Sequence, residues 1–425
     1  MPSDRVPIVI LGGGCAGLSL AIHLSSLGLD DDIVIVEPRT RSEYLNDKTW
    51  CGFSTRNTIF DQIANVSWKS WLIEGETDRL RHVNSKYCYQ RIASADFYQH
   101  CFDSLAQNLR VSIVFGATDI SCHGQRVEFT PPAQNGNVQP SRTVLASHVF
   151  DSRPVLPLDL RGRPQDVLLW QQFVGLEVET DHDVFDPDSA VLMDFRTPQR
   201  GAIHFMYVLP ISKRKALVEA TGFVQEPAPF GPYQDDVARY LGRAHGLGPG
   251  DWRECRREQG IIPMTTARLE RHPYPGVTRI GVAGGAAKPS TGYAFAAIQQ
   301  HSRRIAESLV KGTLDDRLPG RLVSLLLDQV FLSYLSKYPS RAPELFLRIA
   351  RGTSPDRFAR FMMNHGDWRD DLAVIAAMPK WPFIVEAFRS RAIWAGRRKK
   401  GGRGPKAAST PSASETKVQL PSALP

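Results

Sequence analysis

A continuous apolar run, a glycine-rich turn and a helical pattern open the chain. Residues 6–11 are apolar throughout, which predicts a strand buried on both faces of a parallel sheet. Residues 15–27 then repeat at helical spacing until Gly28, where a helix is expected to end. A second apolar run, residues 33–36, ends at Glu37, so this segment predicts one βαβ unit.

Beyond this unit the pattern favours strands first and helices afterwards. Alternating segments at 203–209 and 216–223 indicate an antiparallel sheet within residues 167–223. Residues 278–283 return to the buried-strand pattern, and a glycine-containing turn leads into a long helix predicted at 290–310. Further strands are predicted at 81–89, 111–115 and 144–150, and further helices at 93–109, 321–335, 343–350, 356–363 and 371–377.

The basic charge of the chain is concentrated near its C-terminus. The formal net charge is +8, but six Lys and Arg residues between 397 and 406 have no acid among them, which leaves a nearly neutral body. The composition of residues 397–425 predicts a basic, disordered tail. Such a tail can lie on an anionic membrane or bind nucleic acid, although a solvated end is the simplest interpretation. The near-neutral body argues against a nucleic-acid partner.

Composition also limits the cellular setting. Six cysteines show neither a C-x-x-C pair nor zinc-like spacing, so we predict no metal site and a reducing compartment. The N-terminus runs directly into a strand, without the pattern of a signal peptide, and no window reaches the ~18 apolar residues of a membrane span. We therefore expect a cytoplasmic protein that associates peripherally with a membrane.

The spacing Gly12-x-Gly14-x-x-Gly17 matches the fingerprint of dinucleotide-binding βαβ units. It follows a predicted strand, opens a predicted helix, and is followed twenty residues after Gly17 by Glu37. The glycines permit the turn, the approach of the pyrophosphate and close helix–strand packing, and Glu37 is predicted to accept hydrogen bonds from the adenosine ribose. The pattern predicts a dinucleotide site but does not distinguish FAD from NAD.

A second strand, glycine turn and helix is predicted at residues 278–310. Its turn contains Gly284, Gly285, Pro289, Ser290, Thr291 and Gly292. Two such elements around an inserted sheet are typical of FAD proteins of the glutathione-reductase and hydroxylase type. In that layout the turn follows the ribityl chain, and Ser290, Thr291 and Gly292 are predicted to present free N–H groups at the helix start. The Gly-Asp that is usual in redox members is absent, because Gly284-Gly285 stands there.

The predicted fold class is therefore α/β, a Rossmann-type FAD-binding domain with an inserted antiparallel sheet and a C-terminal helical region. We predict that the FAD-binding domain comprises residues 1–60, 93–155 and 275–312. A substrate-binding sheet domain is predicted at 61–92 and 156–274, and the helical region at 313–396.

Short motifs spread over most of the chain resemble those of one family. They are Asn-Asp-Lys-Thr-Trp-Cys at 46–51, Phe-Asp-Ser-Arg-Pro at 150–154, Gly-Leu-Glu-Val-Glu-Thr at 175–180, Met-Asp-Phe-Arg at 193–196, Phe-Met-Tyr-Val-Leu-Pro at 205–210, Leu-Val-Glu-Ala-Thr at 217–221, Gly-Ile-Ile-Pro-Met at 260–264, Gly-Gly at 284–285 with Pro-Ser-Thr-Gly-Tyr at 289–293, and Pro-Lys-Trp-Pro-Phe at 379–383. Between residues 6 and 390 the chain resembles the lycopene cyclases, the flavin-containing carotenoid β-cyclases of bacteria and plants.

The resemblance implies ring closure without net oxidation. A proton adds to the terminal double bond of an apolar linear carotenoid, lycopene or γ-carotene, an internal double bond attacks the cation, and a ring proton leaves. The resemblance also implies FAD in its reduced form as the cofactor, with NAD(P)H as the reductant that primes it. The implied enzyme is a lycopene β-cyclase of carotenoid biosynthesis.

Glu219 is the first candidate for the catalytic acid. The resemblance implies an acid within 217–221, although plant members carry a second acid where this chain has Ala220. Strand alternation puts Glu219 on the same face as Leu217 and Thr221, where burial against a polyene would raise its pKa. A solvent-facing strand glutamate is the alternative. Asp47, in the loop after the first βαβ unit, is the second candidate.

Glu177 and Glu179 also compete for acid or base roles, but they share a strand face that could be a solvated edge, and a structural role is the favoured interpretation. As a set around one pocket, aromatic residues in or beside the motifs could form a cation cage, although core packing is the favoured interpretation for each one alone. These aromatics are Trp50, Trp170, Phe173, Phe205, Tyr207, Tyr293 and Phe295.

Delivery of a long hydrocarbon requires contact with a membrane. The leucine-rich helices within 316–394 and the basic tail are predicted to form such a docking surface, although core packing explains the same leucines equally well. The rival function is an NAD(P)H-dependent redox flavoenzyme, either a hydroxylase or a desaturase. A non-enzymatic carotenoid carrier is a further alternative.

Overall fold

The computed structural model describes residues 5–45, 48–56, 58–154, 160, 162–163 and 166–380. The strands within these residues are β1 (Arg5–Leu11), β2 (Ile33–Glu37), β3 (Thr49–Ser54), β4 (Val66–Trp68), β5 (Ser70–Glu74), β6 (Arg79–Val83), β7 (Cys88–Ala93), β8 (Val111–Phe115), β9 (Thr118–His123), β10 (Arg126–Thr130), β11 (Arg142–Asp151), β12 (Leu168–Thr180), β13 (Ser189–Asp194), β14 (Ile203–Pro210), β15 (Lys215–Val224), β16 (Trp252–Thr265) and β17 (Val277–Arg279). The helices are α1 (Cys15–Ser26), α2 (Ser94–Ala106), α3 (Gly231–His245), α4 (Phe295–Leu309), α5 (Leu322–Lys337), α6 (Ala342–Gly352), α7 (Pro355–Met362) and α8 (Trp368–Ala377).

The first sheet carries the N-terminal βαβ unit. Its order is β8–β2–β1–β11–β10–β9, and β17 also pairs with β11. Strands β8, β2, β1, β11 and β17 run parallel to their neighbours in this group, whereas β9 and β10 are antiparallel. Residues 8–11 of β1 are buried on both faces, because α1, α2 and α4 cover one face and the β9–β10 hairpin packs on the other. The predicted βαβ unit is confirmed.

The second sheet is mostly antiparallel and has two differently covered faces. Its order is β16–β12–β15–β14–β13–β5–β6, in which only the β13–β5 pair is parallel. Val174, Val218 and Ala220 pack against α3 on one face. Leu217 and Tyr207 lie on the other face, which we call the inner face of the sheet. The antiparallel sheet predicted within 167–223 is therefore confirmed, and it is larger than predicted.

The inner face meets a small third sheet and the C-terminal helices in one apolar core. The third sheet has the order β3–β7–β4. Buried members of the core include Tyr89 from β7, Phe205 from β14, Phe331 from α5 and Phe358 from α7. The second sheet, the third sheet and the C-terminal helices all contribute to this core. Their shared packing holds the three parts in a fixed arrangement.

Three predicted element boundaries are wrong for local reasons. The predicted strand at 81–89 is two strands, because the Asn84 side chain accepts the backbone N–H groups of Lys86 and Tyr87 and forms a turn between β6 and β7. The predicted strand at 278–283 ends with β17 at Arg279, because Gly281 has a φ of 67° and a turn begins there. The helix predicted at 290–310 begins only at Phe295.

The predicted domain boundaries stay a prediction. All strands of the first sheet fall within 1–60, 93–155 and 275–312, and all strands of the second fall within 61–92 and 156–274. The tail predicted at 397–425 lies outside the described residues. Among the helices that the structure describes, none has both the length and the apolar character needed to cross a membrane.

Candidate active site

The glycine loop after β1 has a shape that side chains would not permit. Gly12 has a φ of 93°, and a Cβ on Gly17 would overlap the carbonyl oxygen of Gly12. The Ser152 hydroxyl donates to the carbonyl oxygens of Leu11 and Gly12 at 2.8 and 3.1 Å, which ties the loop to the end of β11. By contrast, a Cβ on Gly14 would meet no atom of the described chain within 4 Å. The loop therefore leaves open space at Gly14, at the start of α1, where a fingerprint loop receives phosphate.

Glu37 lies directly beside this loop, as predicted from its spacing. Its side chain is buried and accepts the backbone N–H of Gly13 through Oε2. Oε1 accepts the backbone N–H and the Nε–H of Arg39 at 2.9 and 2.8 Å. Each carboxylate oxygen has further acceptor capacity, so these bonds orient Glu37 without saturating it. Its contact with a ribose stays a prediction.

The second glycine turn packs on the first nucleotide element. A Cβ on Gly281 would lie 2.6 Å from the Cβ of Ala16 in the first turn of α1. Gly284 has no room for a side chain, because a Cβ there would overlap the carbonyl oxygen of Arg279. Gly285 has a φ of 89°, a left-handed conformation that favours glycine. The two predicted nucleotide elements therefore lie side by side.

The prediction that Ser290, Thr291 and Gly292 present free N–H groups at a helix start is wrong for two of the three. The backbone N–H groups of Thr291 and Gly292 donate to the carbonyl oxygen of Lys288 at 3.2 and 2.8 Å. Gly292 has a φ of 73°, so the chain turns there instead of continuing as a helix. Pro289 begins this turn, and α4 starts five residues after Ser290, at Phe295.

The same turn is anchored to α5 by a buried ion pair. Lys288 Nζ and the Ser290 hydroxyl both donate to Asp328 Oδ1 at 2.6 Å. Asp328 is completely buried, and Lys288 is nearly so. Removing one partner of such a pair would leave the other charge buried and unpaired, which is unfavourable. The pair therefore holds the turn in place against the helical region.

Three buried polar atoms beside this turn have no hydrogen-bond partner within the described residues. They are Gln171 Oε1 on the inner face of β12, the Thr291 hydroxyl and Asp328 Oδ2. A Cβ on Gly292 would overlap Gln171 Oε1, so the amide lies directly against the turn. Buried polar groups are normally hydrogen-bonded, and their presence here fits a polar ligand along the turn.

Glu219 lies on the inner face of the second sheet, as its alternation predicted. It pairs with Gly175 of β12 on one side and with Tyr207 of β14 on the other. Its Oε1 accepts the Thr221 hydroxyl at 2.6 Å, and no ion pair joins it to a basic residue within the described chain. Burial, followed by the negative charge of Glu258, raises the pKa of Glu219 to about 8. A protonated carboxyl at neutral pH is the form that can protonate an alkene.

A second buried carboxylate, Glu258 of β16, lies on the opposite side of Gly175. Its Oε2 accepts Arg256 Nη1 at 2.6 Å and the Thr49 hydroxyl at 2.5 Å. Glu258 was not predicted from the sequence, although it is two residues before Gly260 on the same alternating face of β16. That alternation was the signal that could have identified it.

Three tyrosine hydroxyls form a hydrogen-bonded triangle next to Glu219. Tyr89 from β7 bonds to Tyr207 at 2.7 Å and to Tyr293 at 2.9 Å, and Tyr207 and Tyr293 also bond to each other. Burial raises the pKa of each of the three phenols, so all stay neutral. The triangle joins the third sheet, the second sheet and the second glycine turn at one point. Tyr89 was not selected from sequence.

The solvated edge predicted for Glu177 and Glu179 is wrong for Glu177. Glu177 is buried and pairs with Arg91 and Lys215, each at 2.7 Å. Burial raises the pKa of Glu177, but the hydrogen bond from Lys215 and the nearby guanidinium groups outweigh this effect. They hold the pKa below its usual range. Glu179 is more exposed and pairs with Arg253. Asp47 lies outside the described residues, so its candidacy stays a prediction.

The predicted aromatic cage is only partly assembled. Phe173, Phe205, Tyr207 and Tyr293 lie on or against the inner face. Trp170 packs with Leu160 and Ile261 on the opposite face, because its position in β12 has the other parity. Trp50 and Phe295 stack on each other at a centroid distance of 6.2 Å within the core of the first sheet.

Comparison with known proteins identifies relatives over most of the chain. The family model described as lycopene cyclase protein matches residues 7–387. The neoxanthin synthase of Solanum tuberosum is 25% identical over 322 residues, which span 73% of this chain and 62% of that protein. The lycopene beta-cyclase of a Paracoccus species is 29% identical over 201 residues, which span 44% of this chain and 47% of that protein. The chain therefore covers about three fifths of the potato relative.

A solved structure supports the fold. A flavoprotein/dehydrogenase from Cytophaga hutchinsonii superposes over 93% of this chain and all of its own length, with a TM-score of 0.57 at 13% identity. At this identity the similarity concerns the fold alone. It establishes the α/β fold with a Rossmann-type nucleotide-binding region that the sequence predicted.

Proposed function

The chain belongs to the lycopene cyclase family, and on this basis we propose that it closes the linear ends of lycopene into β-ionone rings without net oxidation. One observation carries the proposal: Glu219 is a buried carboxyl without an ion-pair partner in the described chain, with a pKa of about 8, and it lies beside neutral tyrosines on the inner face. Alkene protonation requires a carboxyl held in its acid form at neutral pH, and the raised pKa of Glu219 favours that form.

FAD is the cofactor that we propose for the two glycine elements. The loop at Gly12, Gly14 and Gly17 would hold the pyrophosphate, and the open space at Gly14 fits that role. The turn from Gly284 to Gly292 would follow the ribityl chain, where Gln171 and Thr291 offer polar atoms without protein partners in the described residues. When bound in its reduced form, with NAD(P)H as the source of electrons, the flavin supplies an electron-rich surface that favours nearby positive charge.

The proposed reaction uses Glu219 as the acid. Its carboxyl proton passes to the terminal double bond of the carotenoid, and the π electrons of that bond form the new C–H bond. An internal double bond then closes the ring, and loss of a ring proton restores a double bond, so no electrons leave the substrate. The neutral phenols and the phenylalanine faces of the inner face bear no strong nucleophile and can attract a cation through their π electrons.

The activity is expected to fall as pH rises through about 8. The acid acts only when protonated, and Glu219 has a raised pKa of about 8, so the rate should be near its maximum at pH 6 and about tenfold lower at pH 9. The Thr221 hydroxyl donates to Glu219 and favours its anion. Thr221→Val removes this hydroxyl, so the variant should shift the midpoint of the pH profile upward. The measurement is kcat across about pH 4–10 with FAD kept reduced. A midpoint near 4.5, the usual value for a glutamate, would contradict the assignment.

The function itself is tested by anaerobic incubation with lycopene in liposomes. The purified protein is supplied with FAD reduced by dithionite, and the product is analysed by mass and absorption. A product of unchanged mass with a blue-shifted spectrum supports cyclisation. A product altered by oxygen or hydrogen, with stoichiometric consumption of NAD(P)H, would identify a redox flavoenzyme instead. A flavin-loaded protein that converts neither lycopene nor γ-carotene would contradict the proposal.

We also propose that α5 and α8 dock on the surface of an anionic membrane. Leu322 and Val323 of α5 and Leu372 of α8 are large apolar residues that remain exposed. Arg321 links the two helices through its ion pair with Asp371 and would lie at the headgroup level. A small cavity lined by Leu325, Met363, Gly285 and Tyr293 lies between α5 and the second glycine turn. The exposed apolar residues beside Arg321 suit docking on a bilayer, where a long hydrocarbon substrate would be found.

The Leu322→Gln, Leu372→Gln double variant is expected to bind anionic vesicles about tenfold more weakly, because each leucine would otherwise bury apolar surface in lipid. Leu109→Gln is the matched control, since Leu109 is fully exposed but lies in the first-sheet region, away from α5 and α8. Sedimentation with phosphatidylglycerol vesicles gives the bound fraction, and melting temperatures verify folding. Equal losses in the double variant and the control would argue against this surface.

A further inference from the structure

Two glutamates of the inner face converge over a single glycine. Glu219 of β15 and Glu258 of β16 pair with opposite edges of Gly175 in β12, so both side chains lie on the same face. A Cβ on Gly175 would lie 3.0 Å from Glu258 Cγ and 3.5 Å from Glu219 Cβ. The absent side chain therefore provides the space in which the two carboxyl-bearing stems approach each other.

The two carboxyl groups have different partners. Glu258 receives a guanidinium and a hydroxyl on one oxygen, from Arg256 and Thr49. Glu219 receives only the hydroxyl of Thr221. Arg256 also contacts Glu177 at 3.3 Å, so its charge is shared between two carboxylates. Glu258 thus has a guanidinium partner in Arg256, while Glu219 forms no ion pair within the described chain.

Other titratable and charged groups surround this pair from every neighbouring element. They are Cys51 of β3, Tyr89 and Arg91 of β7, Glu177 of β12, Tyr207 of β14, Lys215 of β15, Arg256 of β16 and Tyr293 before α4. Arg91, Lys215 and Arg256 all pair with Glu177, and the thiol and phenols are neutral. Among these groups, Glu258 is the carboxylate whose negative charge directly opposes ionisation of Glu219.

We propose that Glu258 is a positioning residue. Its fixed negative charge across Gly175 favours the protonated form of Glu219 before the reaction. The same charge favours uptake of the ring proton by Glu219 afterwards. When Glu219 gives its proton to the substrate, two carboxylates lie side by side in a buried site, which is unfavourable. Glu219 regains a proton when a ring C–H bond breaks and its electrons form the ring double bond. The acid is regenerated without an external base, an oxidant or a reductant. This inference rests on the proposed function.

Glu258→Gln tests the electrostatic part directly. Removing the anion should lower the pH midpoint of Glu219 by about one unit, equivalent to a tenfold loss of proton affinity. Infrared titration follows the carbonyl stretch of the protonated Glu219 carboxyl, identified as the band absent from Glu219→Gln. This readout needs no substrate. Glu254→Gln is the matched control, because Glu254 is an exposed carboxylate on the same strand that pairs with Arg257.

The kinetic consequence is a changed pH profile. The ratio of kcat at pH 6 to kcat at pH 9 should rise about tenfold in Glu258→Gln, and Glu258→Asp, which keeps the charge, should recover most of the wild-type ratio. If Glu258→Gln does not fold, Gly175→Ala provides the second test. Its methyl group would press on Glu258 and separate the carboxyls, so the Glu219 midpoint should again move downward.

An infrared midpoint that stays unchanged or moves upward in both Glu258→Gln and Gly175→Ala would overturn the role of Glu258. If this happens in a protein that cyclises lycopene, the proposed function stands without it. A lowered midpoint in a protein that does not act on linear carotenoids would instead contradict the proposed function, while the coupling between the two glutamates would stand.

Discussion

The Glu219→Gln variant is expected to bind FAD and lose about 10²- to 10⁴-fold of the cyclisation rate, which is the usual contribution of a general acid. Glutamine preserves the volume and the hydrogen bond with Thr221 but cannot supply a proton. Because the wild-type carboxyl is already neutral at pH 7, the substitution changes no charge there. The fold should therefore be as stable as wild type, and the loss should appear in kcat. Single-turnover conversion of lycopene with reduced FAD measures it.

Glu179→Gln is the control for this substitution. Glu179 lies on a neighbouring strand, is more exposed and pairs with Arg253, so its replacement should leave turnover near the wild-type level. Wild-type rates in Glu219→Gln would remove Glu219 from the chemistry and direct attention to Asp47, the second candidate. Loss of FAD in the same variant would make the rate uninformative about the acid, so flavin content is determined for each preparation.

The second large effect is expected at Gly14, where Gly14→Ala should weaken FAD binding about 10- to 100-fold without unfolding the protein. A methyl group there meets no protein atom within 4 Å, and the backbone φ of −78° is accessible to alanine. The space that it would fill is the space proposed for the pyrophosphate. Fluorescence titration of the deflavinated protein with FAD gives the affinity, and thermal unfolding of the same preparation gives the stability.

Substitutions at two other glycines distinguish a loss of FAD binding from a loss of folding. Gly231→Ala, at the start of α3, also adds a methyl group in open space and should affect neither FAD affinity nor folding. Gly17→Ala should destabilise the protein itself, because its Cβ would overlap the Gly12 carbonyl. If Gly14→Ala bound FAD as tightly as wild type, the pyrophosphate could not approach the loop in the way proposed.

The fold is shared with proteins that perform redox chemistry, so the residues of the candidate active site must distinguish a cyclase from a redox flavoenzyme. The solved flavoprotein superposes over nearly the whole chain, and the same Rossmann-type region serves many reactions. In this chain, the inner face of the second sheet places Glu219 beside the tyrosine triangle. The absence of the usual Gly-Asp at Gly284-Gly285 agrees with a flavin that does not cycle between redox states.

The sequence alone determined the features that depend on local periodicity and on glycine geometry. The apolar run before Gly12, the helical spacing after it and the position of Glu37 predicted the βαβ unit correctly. Alternation at 216–223 placed Glu219 on the correct face of its strand. These inferences succeeded because side chains follow a period of two in strands and 3.6 in helices. They failed at Ser290, where a left-handed Gly292 delayed the helix.

Only the tertiary structure decided which residues share the site. The tyrosine triangle takes one member each from β7, β14 and the turn before α4, and the carboxylate that raises the pKa of Glu219 comes from β16. Strand order placed Gly175 between Glu219 and Glu258, and strand parity sent Trp170 to the opposite face. No local pattern specifies the neighbours of a strand within a sheet, because pairing is set by long-range packing. The acid strength of Glu219 is therefore a property of the assembled sheet.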